Sequence, residues 1–287
     1  MKKLNQGEIK LKILRFKVEC SEPITIKDFL SRNGVSRRLM TKLKRQTDGI
    51  TCNGEKIRTI DMVKNGDEVV LTMQDESFLE PNPTLNVPIV YESDSVIVFD
   101  KPIKMPVHPS INHQGDTLGN YFAYLFPRTT FRPVNRLDRD TSGLCAVAKN
   151  AHAVNMMKLQ KTYYAIACGN IKEDGVIDAP IDREEESIIF RCVSPNGKRA
   201  ITHYKVVRSN DKYTLLEISL ETGRTHQIRV HFSYIGHPLV GDELYGALSD
   251  EIIGQALHCG RLRFFDVSAN KEVEIIGELR KEMTKLV

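Results

Sequence analysis

Arg136, Asp138, Arg139 and Asp140 put two carboxylates and two guanidinium groups within five positions of the stretch Asn135-Arg136-Leu137-Asp138-Arg139-Asp140-Thr141-Ser142-Gly143-Leu144. The stretch follows Pro133 and runs into Leu144–Ala148, an apolar segment that reads as a strand. Loops held by rigid strands are the usual place for catalytic groups. A neighbouring cation favours the ionised form of a carboxyl group. An ionised carboxylate in a shielded site can act as nucleophile, as base, or as stabiliser of a developing cation. By spacing alone, a structural Asp–Arg pair is the simpler reading. A second stretch, Leu220 to His231, contains Gly223 for a tight turn, Thr225 as a helix cap, and Ile228, Phe232 and Ile235 at helical spacing. Arg229 falls at the edge of that apolar stripe, where a guanidinium needs an anionic partner. Asp138 is the candidate, either as a reacting group or as a tie between sheet halves. Tyr163 by itself reads as a core tyrosine. His226 and His231, five apart, do not share a helix face, so they give no zinc spacing.

These groups need a scaffold, and two units can be read. In residues 1–75, Thr25 with Asp28 resembles a capping box, Gly34 can close the first helix, and Ser36 can cap a second with Leu39, Met40 and Leu43 at helical spacing. Cys52-Asn53-Gly54-Glu55 carries a hairpin signal, and Asp67 to Met73 reads as a strand. Residues 76–88 hold three prolines and are expected to be a linker. In 89–287, strands are expected at Val96–Phe99, Leu144–Ala148, Tyr163–Cys168, Thr202–Val207 and Tyr213–Leu220, with helices at His152–Leu159 and His226–Tyr234. Strands without regular alternation with helices favour an α+β class with a mostly antiparallel sheet, joined to a small N-terminal α/β unit.

The composition is that of a globular protein, with 41% hydrophobic and 27% charged residues. No apolar run approaches the roughly 18 residues of a membrane helix. Lysines break up the first residues, so they do not read as a secretory signal. Six cysteines form no CxxC pair, which argues against a zinc knuckle or a disulfide scaffold. A cytoplasmic monomer with free thiols, no metal and no membrane contact is expected. Net charge is +4, and the surplus lies in the first 80 residues, with 16 Lys/Arg against 12 Asp/Glu. Within 32–58, Arg37, Arg38, Lys42 and Lys44 belong to a basic cluster opposed only by Asp48 and Glu55. That is the footprint of a polyanion binder, or else a solvated helix face.

The 135–144 stretch is similar to the signature motif of the RluA family of RNA pseudouridine synthases. Three further blocks resemble that family in the same order: Tyr91-Glu92-Ser93-Asp94 through Asp100-Lys101-Pro102 and Val107-His108-Pro109; Lys161-Thr162-Tyr163-Tyr164-Ala165; and Leu220 to His231 with Gly236-His237-Pro238 and Gly241-Asp242. The likeness spans about 89–246. Asn135 stands where the family usually has His, which bears on substrate contacts rather than on the chemistry. Lys104 stands where Gly is frequent, which implies a stiffer loop. The two helices and hairpin of about 20–73 resemble the S-four RNA-binding domain.

The resemblance implies the pseudouridine synthase fold and a reaction that detaches uracil, turns it, and rejoins it through C5, with no cofactor. It implies that Asp138 is catalytic, that Arg229 lies against it, and that Tyr163 is in the active site. Arg136, Arg224 and Gln227 are expected to contact substrate. Arg37, Arg38, Lys42 and Lys44 are expected to contact RNA phosphates, with ribosomal RNA favoured over transfer RNA. The alternative is a non-catalytic RNA-binding or ribosome-assembly factor on the same fold. Retention of Asp138, Tyr163 and Arg229 together speaks against it. A base-removing glycosidase would share the carboxylate but release uracil.

Overall fold

The computed structural model describes residues 11–74, 79–185, 187, 189–246 and 248–287. The N-terminal unit contains β1 (Leu11–Lys17), β2 (Ile24–Thr25), α1 (Ile26–Arg32), α2 (Arg37–Leu43), β3 (Ile50–Cys52), β4 (Glu55–Lys56), β5 (Met62–Val63) and β6 (Glu68–Gln74). Its larger sheet has the order β1-β6-β3-β4. Both helix starts are capped as their sequences require. Thr25 Oγ1 accepts from the Asp28 N–H at 3.1 Å, and Ser36 Oγ from that of Leu39 at 3.2 Å. The β3–β4 turn places Asn53 at φ 50° and Gly54 at φ 87°, the left-handed pair that an Asn-Gly hairpin uses. Leu39, Met40 and Leu43 point into the unit's core, which leaves Arg37, Arg38, Lys42 and Lys44 exposed on the other side of α2.

Residues 79–88 lie along the larger unit. Leu79 and Leu85 pack on its core and Val87 is buried. The Asn82 N–H donates to the Asn120 carbonyl at 3.1 Å. Prolines preclude a ladder but not an extended chain laid over apolar surface, which is why this part of the expected linker is packed there; its residues 76–78 lie outside the described residues.

The larger unit comprises β7 (Ile89–Glu92), β8 (Val96–Lys101), α3 (Leu118–Leu125), β9 (Ser142–Ala148), α4 (Ala151–Met156), β10 (Gln160–Cys168), β11 (Gly175–Asp178), β12 (Ile181–Arg183), β13 (Arg191–Val193), β14 (Ile201–Ser209), β15 (Tyr213–Leu220), α5 (Gln227–Tyr234), β16 (Leu257–Asp266), β17 (Lys271–Ile276) and α6 (Lys281–Leu286). Among the described residues, nine strands form one sheet, β11-β14-β15-β10-β16-β9-β8-β7, with β17 also paired to β16. The class is α+β. Every ladder is antiparallel except the short β9–β16 pairing, His258 beside Ser142 and Cys259 beside Gly143. Among the elements that the sequence pattern does not announce are α3, β16 and β17. α3 begins with a Thr117–Asn120 capping box, the reciprocal pattern with Asn in place of Glu or Gln.

The β9–β16 pairing fixes one glycine. Gly143 has φ +103°, and a Cβ there would lie 2.4 Å from the Cys259 carbonyl oxygen. That oxygen belongs to the central strand and cannot retreat. Gly143→Ala is therefore expected to lower unfolding stability by roughly 2–3 kcal/mol, measured by urea denaturation.

Candidate active site

β9 begins where the 135–141 loop ends, and that loop is tied down at several points. Asn135 is buried; its side chain donates to the Leu144 carbonyl at 3.0 Å and accepts from the Ala146 N–H at 2.8 Å. It thus pairs with β9 like an extra strand residue. Lys101, fully buried, donates to the carbonyls of Pro102, Met105 and Arg139 at 2.8, 2.8 and 3.1 Å, joining the 102–105 turn to the loop. Lys104 in that turn holds φ +60°, a conformation glycine would adopt freely. Gln255 donates to Thr141 Oγ1 at 3.0 Å, and Ser142 Oγ lies 2.9 Å from His258 Nδ1. The Ser–His contact looks like a nucleophile–base pair, yet both residues are buried. Burial pushes His258 down to about 4, so its ring is neutral and serves as a tie.

These ties present Asp138 at a cleft of about 520 Å³ whose walls include His108, Arg136, Lys161, Tyr163, Arg224 and His226. The volume falls in the range of about 300–1,000 Å³ usual for ligand pockets. The Asp138 side chain is about a third exposed, at 32%. Its Oδ2 accepts from Arg229 Nη1 at 3.2 Å and lies 3.8 Å from His226 Nε2. Among the described residues, Oδ1 has no protein partner.

Arg229 is deeper than its expected place at the edge of a stripe, being 4% exposed. Its principal partner is a carboxylate the sequence reading left without a role. Asp242, fully buried, accepts from Nε and Nη2 of Arg229 at 2.7 Å each, and from the N–H groups of Leu244 and Tyr245. Burial opposes the charge on Arg229, but Asp242 and then Asp138 outweigh it and raise its pKa. Asp138 therefore faces a permanent cation whose charge is already shared with a second carboxylate.

Tyr163 lies on β10, at a shift in its register with β16, and its side chain lines the same cleft. Burial first, then nearby Cys259 and Asp138, push its hydroxyl well above the usual phenol value. It stays a neutral phenol, suited to packing under a base or donating a hydrogen bond rather than to acting as a phenolate base. Arg136 and Arg224 are exposed along the cleft, and Arg224 Nε donates to the Arg199 carbonyl at 3.0 Å. Gln227, expected to contact substrate, lines the inner end of the site beside Asp138 and Tyr163. It is buried; its oxygen accepts from Thr222 Oγ1 and the Arg224 N–H, and its amide nitrogen donates to the Ile201 carbonyl and Thr202 Oγ1. Its hydrogen-bonding capacity is used within the protein, so it fixes the turn that carries Arg224. Thr225 is not the helix cap: His226 occupies that position at φ 57° and makes no side-chain cap bond. Arg37, Arg38, Lys42 and Lys44 are not in the cleft. Arg38 and Lys42 line a separate groove between α2 and α4, which Arg132 also borders. Among the described residues no cluster of three or more His, Cys, Asp or Glu side chains could hold a metal.

A carboxylate one-third exposed, backed by a buried guanidinium and open on one oxygen, is equipped to act at a centre that becomes positive, such as the anomeric carbon of a sugar. Comparison with known proteins agrees with that chemistry. The family model described as RNA pseudouridylate synthase matches residues 95–234. The uncharacterized RNA pseudouridine synthase YjbO of Bacillus subtilis is 36% identical over 278 residues, covering 92% of this chain and 98% of that protein. Ribosomal large subunit pseudouridine synthase D of Yersinia pestis is 35% identical, covering 83% of this chain and 82% of that protein. The solved structure of human RNA pseudouridylate synthase domain containing 1 superposes with a TM-score of 0.57 at 30% identity, over 70% of this chain and 86% of that one. The chain belongs to the RNA pseudouridine synthase family. It is an isomerase that converts uridine in RNA to pseudouridine.

Proposed function

We propose that Asp138 is the catalytic carboxylate of this isomerisation, that Arg229 pairs with it and orients it, and that Tyr163 packs beneath the displaced base. The observation that carries this reading is the open Oδ1 of Asp138 in a cleft beside a guanidinium that is itself locked by Asp242. Cleavage of the glycosidic bond builds positive charge on the ribose, as in glycoside hydrolysis, and one anionic oxygen near the anomeric carbon stabilises it. The uracil must stay in place while it turns, so water has to be kept out. Arg136 and Arg224, exposed on the cleft wall, are placed to hold the backbone on either side of a flipped-out nucleotide, whose unstacking costs a few kcal/mol. The balance of atoms is that of an isomerisation: the C5 proton leaves and N1 gains one.

The substrate in this reading is ribosomal RNA, supported by the relatives named for the large ribosomal subunit. Residues 1–75 act as an S-four-like RNA-binding domain beside a catalytic domain of 89–287, in the cytoplasm, and the enzyme works as a monomer. The exposed cations of α2 support this role. The reading is tested by comparing pseudouridine maps of ribosomal and transfer RNA from cells with and without the protein. A missing site in ribosomal RNA is expected.

Phosphate contacts from α2 raise affinity without reading sequence. The quadruple substitution of Arg37, Arg38, Lys42 and Lys44 by Ala is expected to weaken RNA binding and to flatten the salt dependence of log Kd by up to about 3–4 units of slope, while the rate at saturating RNA changes little. An unchanged slope in a filter-binding titration discards this role.

A further inference from the structure

We propose that His226, set in place by Tyr245, is a positioning residue for the catalytic carboxylate: its Nε2–H joins Arg229 on Oδ2 of Asp138, which turns Oδ1 toward the ribose. The inference rests on Asp138 being the reacting carboxylate, as proposed above.

The neighbours of His226 set its tautomer. His226 Nδ1 lies 2.7 Å from the Tyr245 hydroxyl, and that hydroxyl already accepts the Arg191 backbone N–H at 3.0 Å. With an acceptor role filled, the phenol gives its own proton to Nδ1. The imidazole proton then sits on Nε2, the nitrogen 3.8 Å from Asp138 Oδ2. The opposite tautomer would aim a lone pair at a carboxylate. The charged groups around the ring are Asp138, Arg229, Arg191 and Asp242. Burial, with the two arginines, opposes protonation of His226 against the pull of the two carboxylates, so the ring is neutral and its tautomer matters.

The frame is rigid. The His226 and Tyr245 rings meet edge-on at 5.6 Å. Tyr245 is held through its N–H on Asp242, its carbonyl on Ser233 Oγ, and the Arg229 guanidinium 5.0 Å from its ring centre. Asp242 thus orients both donors, Arg229 directly and His226 through Tyr245. His226 keeps a left-handed backbone and gives no side-chain cap to α5 while its ring lies between Tyr245 and Asp138. Strain of this kind persists where surrounding structure imposes it, and it gathers at active sites. Both donors act on the same oxygen, which is why Oδ1 is open. The 3.8 Å separation is wider than a hydrogen bond. A side-chain movement of about 1 Å closes it, and catalytic hydrogen bonds often tighten in this way when substrate binds.

The test compares His226→Leu, His226→Gln, Tyr245→Phe and the Gln/Phe double variant in single-turnover reactions at saturating RNA. A glutamine amide nitrogen can take the place of Nε2 and has no tautomer to set. His226→Leu is expected to slow the reaction about 10–100-fold, the worth of a hydrogen bond to a charged group. His226→Gln is expected to stay within about 5-fold of the parent, since the donor is restored. Tyr245→Phe should cost about 5–10-fold in the parent and little in the Gln background, because the hydroxyl acts through the imidazole. A parental rate for His226→Leu overturns the inference. So does His226→Gln as slow as Leu, which would give the imidazole a proton-transfer role. An equal cost of Tyr245→Phe in both backgrounds overturns it as well. The Asp138→Asn variant separates failures: an active Asp138→Asn refutes the underlying site, whereas an inactive one beside a parental His226→Leu refutes only this step.

Discussion

Asp138→Asn is expected to reduce pseudouridine formation at least about 10³-fold while leaving RNA affinity within about 2-fold of the parent. The substitution keeps the shape of the side chain. Its amide oxygen can still accept from Arg229 Nη1, which now stands 3.2 Å from Oδ2, so the fold and the cleft wall remain. What disappears is the negative charge facing the ribose. A neutral amide neither traps nor stabilises a positive sugar, and the whole effect falls on the chemical step. Release of tritium from RNA labelled at uridine C5 reads that step, and filter binding reads affinity. A rate within about 10-fold of the parent would remove Asp138 from the reaction.

The second large effect concerns the pair behind the carboxylate. Arg229→Met leaves Asp242, fully buried, with two backbone N–H donors and no cation. Removing one partner of a buried ion pair typically costs about 3–5 kcal/mol, because the remaining charge has no solvent to return to. Urea denaturation should show that loss, together with loss of activity. Replacing both residues, Arg229→Met with Asp242→Leu, should cost clearly less than the sum of the single changes, since no lone charge is left. The double variant should nevertheless be inactive, because Asp138 no longer has its guanidinium. A recovery of stability without recovery of activity separates the two roles of Arg229; simple additivity of the stability losses would count against a coupled pair.

How far the sequence announced this site depends on the residue. Asp138, Tyr163 and Arg229 stood out because they sit in contiguous motifs whose order could be matched to a family; the structure places Asp138 and Tyr163 on one cleft, with Arg229 bonded to Asp138 behind it. The strands at β8, β9, β10, β14 and β15 were legible from β-branched and apolar runs. Asp242 was visible only as part of a motif. Its role comes from a buried contact across 13 residues, and no local pattern marks which carboxylate a guanidinium will choose. Gln227 shows the same limit: its motif marks it out, but no local pattern shows that its side-chain amide is bonded within the protein. The cap at Thr225 was lost to His226, whose ring is used elsewhere. β16 was passed over because Gly260, Arg261 and Arg263 interrupt its apolar residues. The reason is in its surroundings: Gly260 makes room for the Tyr164 ring, and the arginines are less buried than the residues between them.

That strand has one more effect. Among the described residues, the half of the sheet that carries the Asp138 loop and the half that leads into α5 share no ladder with each other; β16 is paired to both, through β9 and β10. Leu257–Asp266 also follows every cleft residue named above in the chain. A nascent chain therefore possesses all of its chemical equipment before the halves can be brought into register. The site is therefore expected to assemble only once that late-made strand has been added to the sheet.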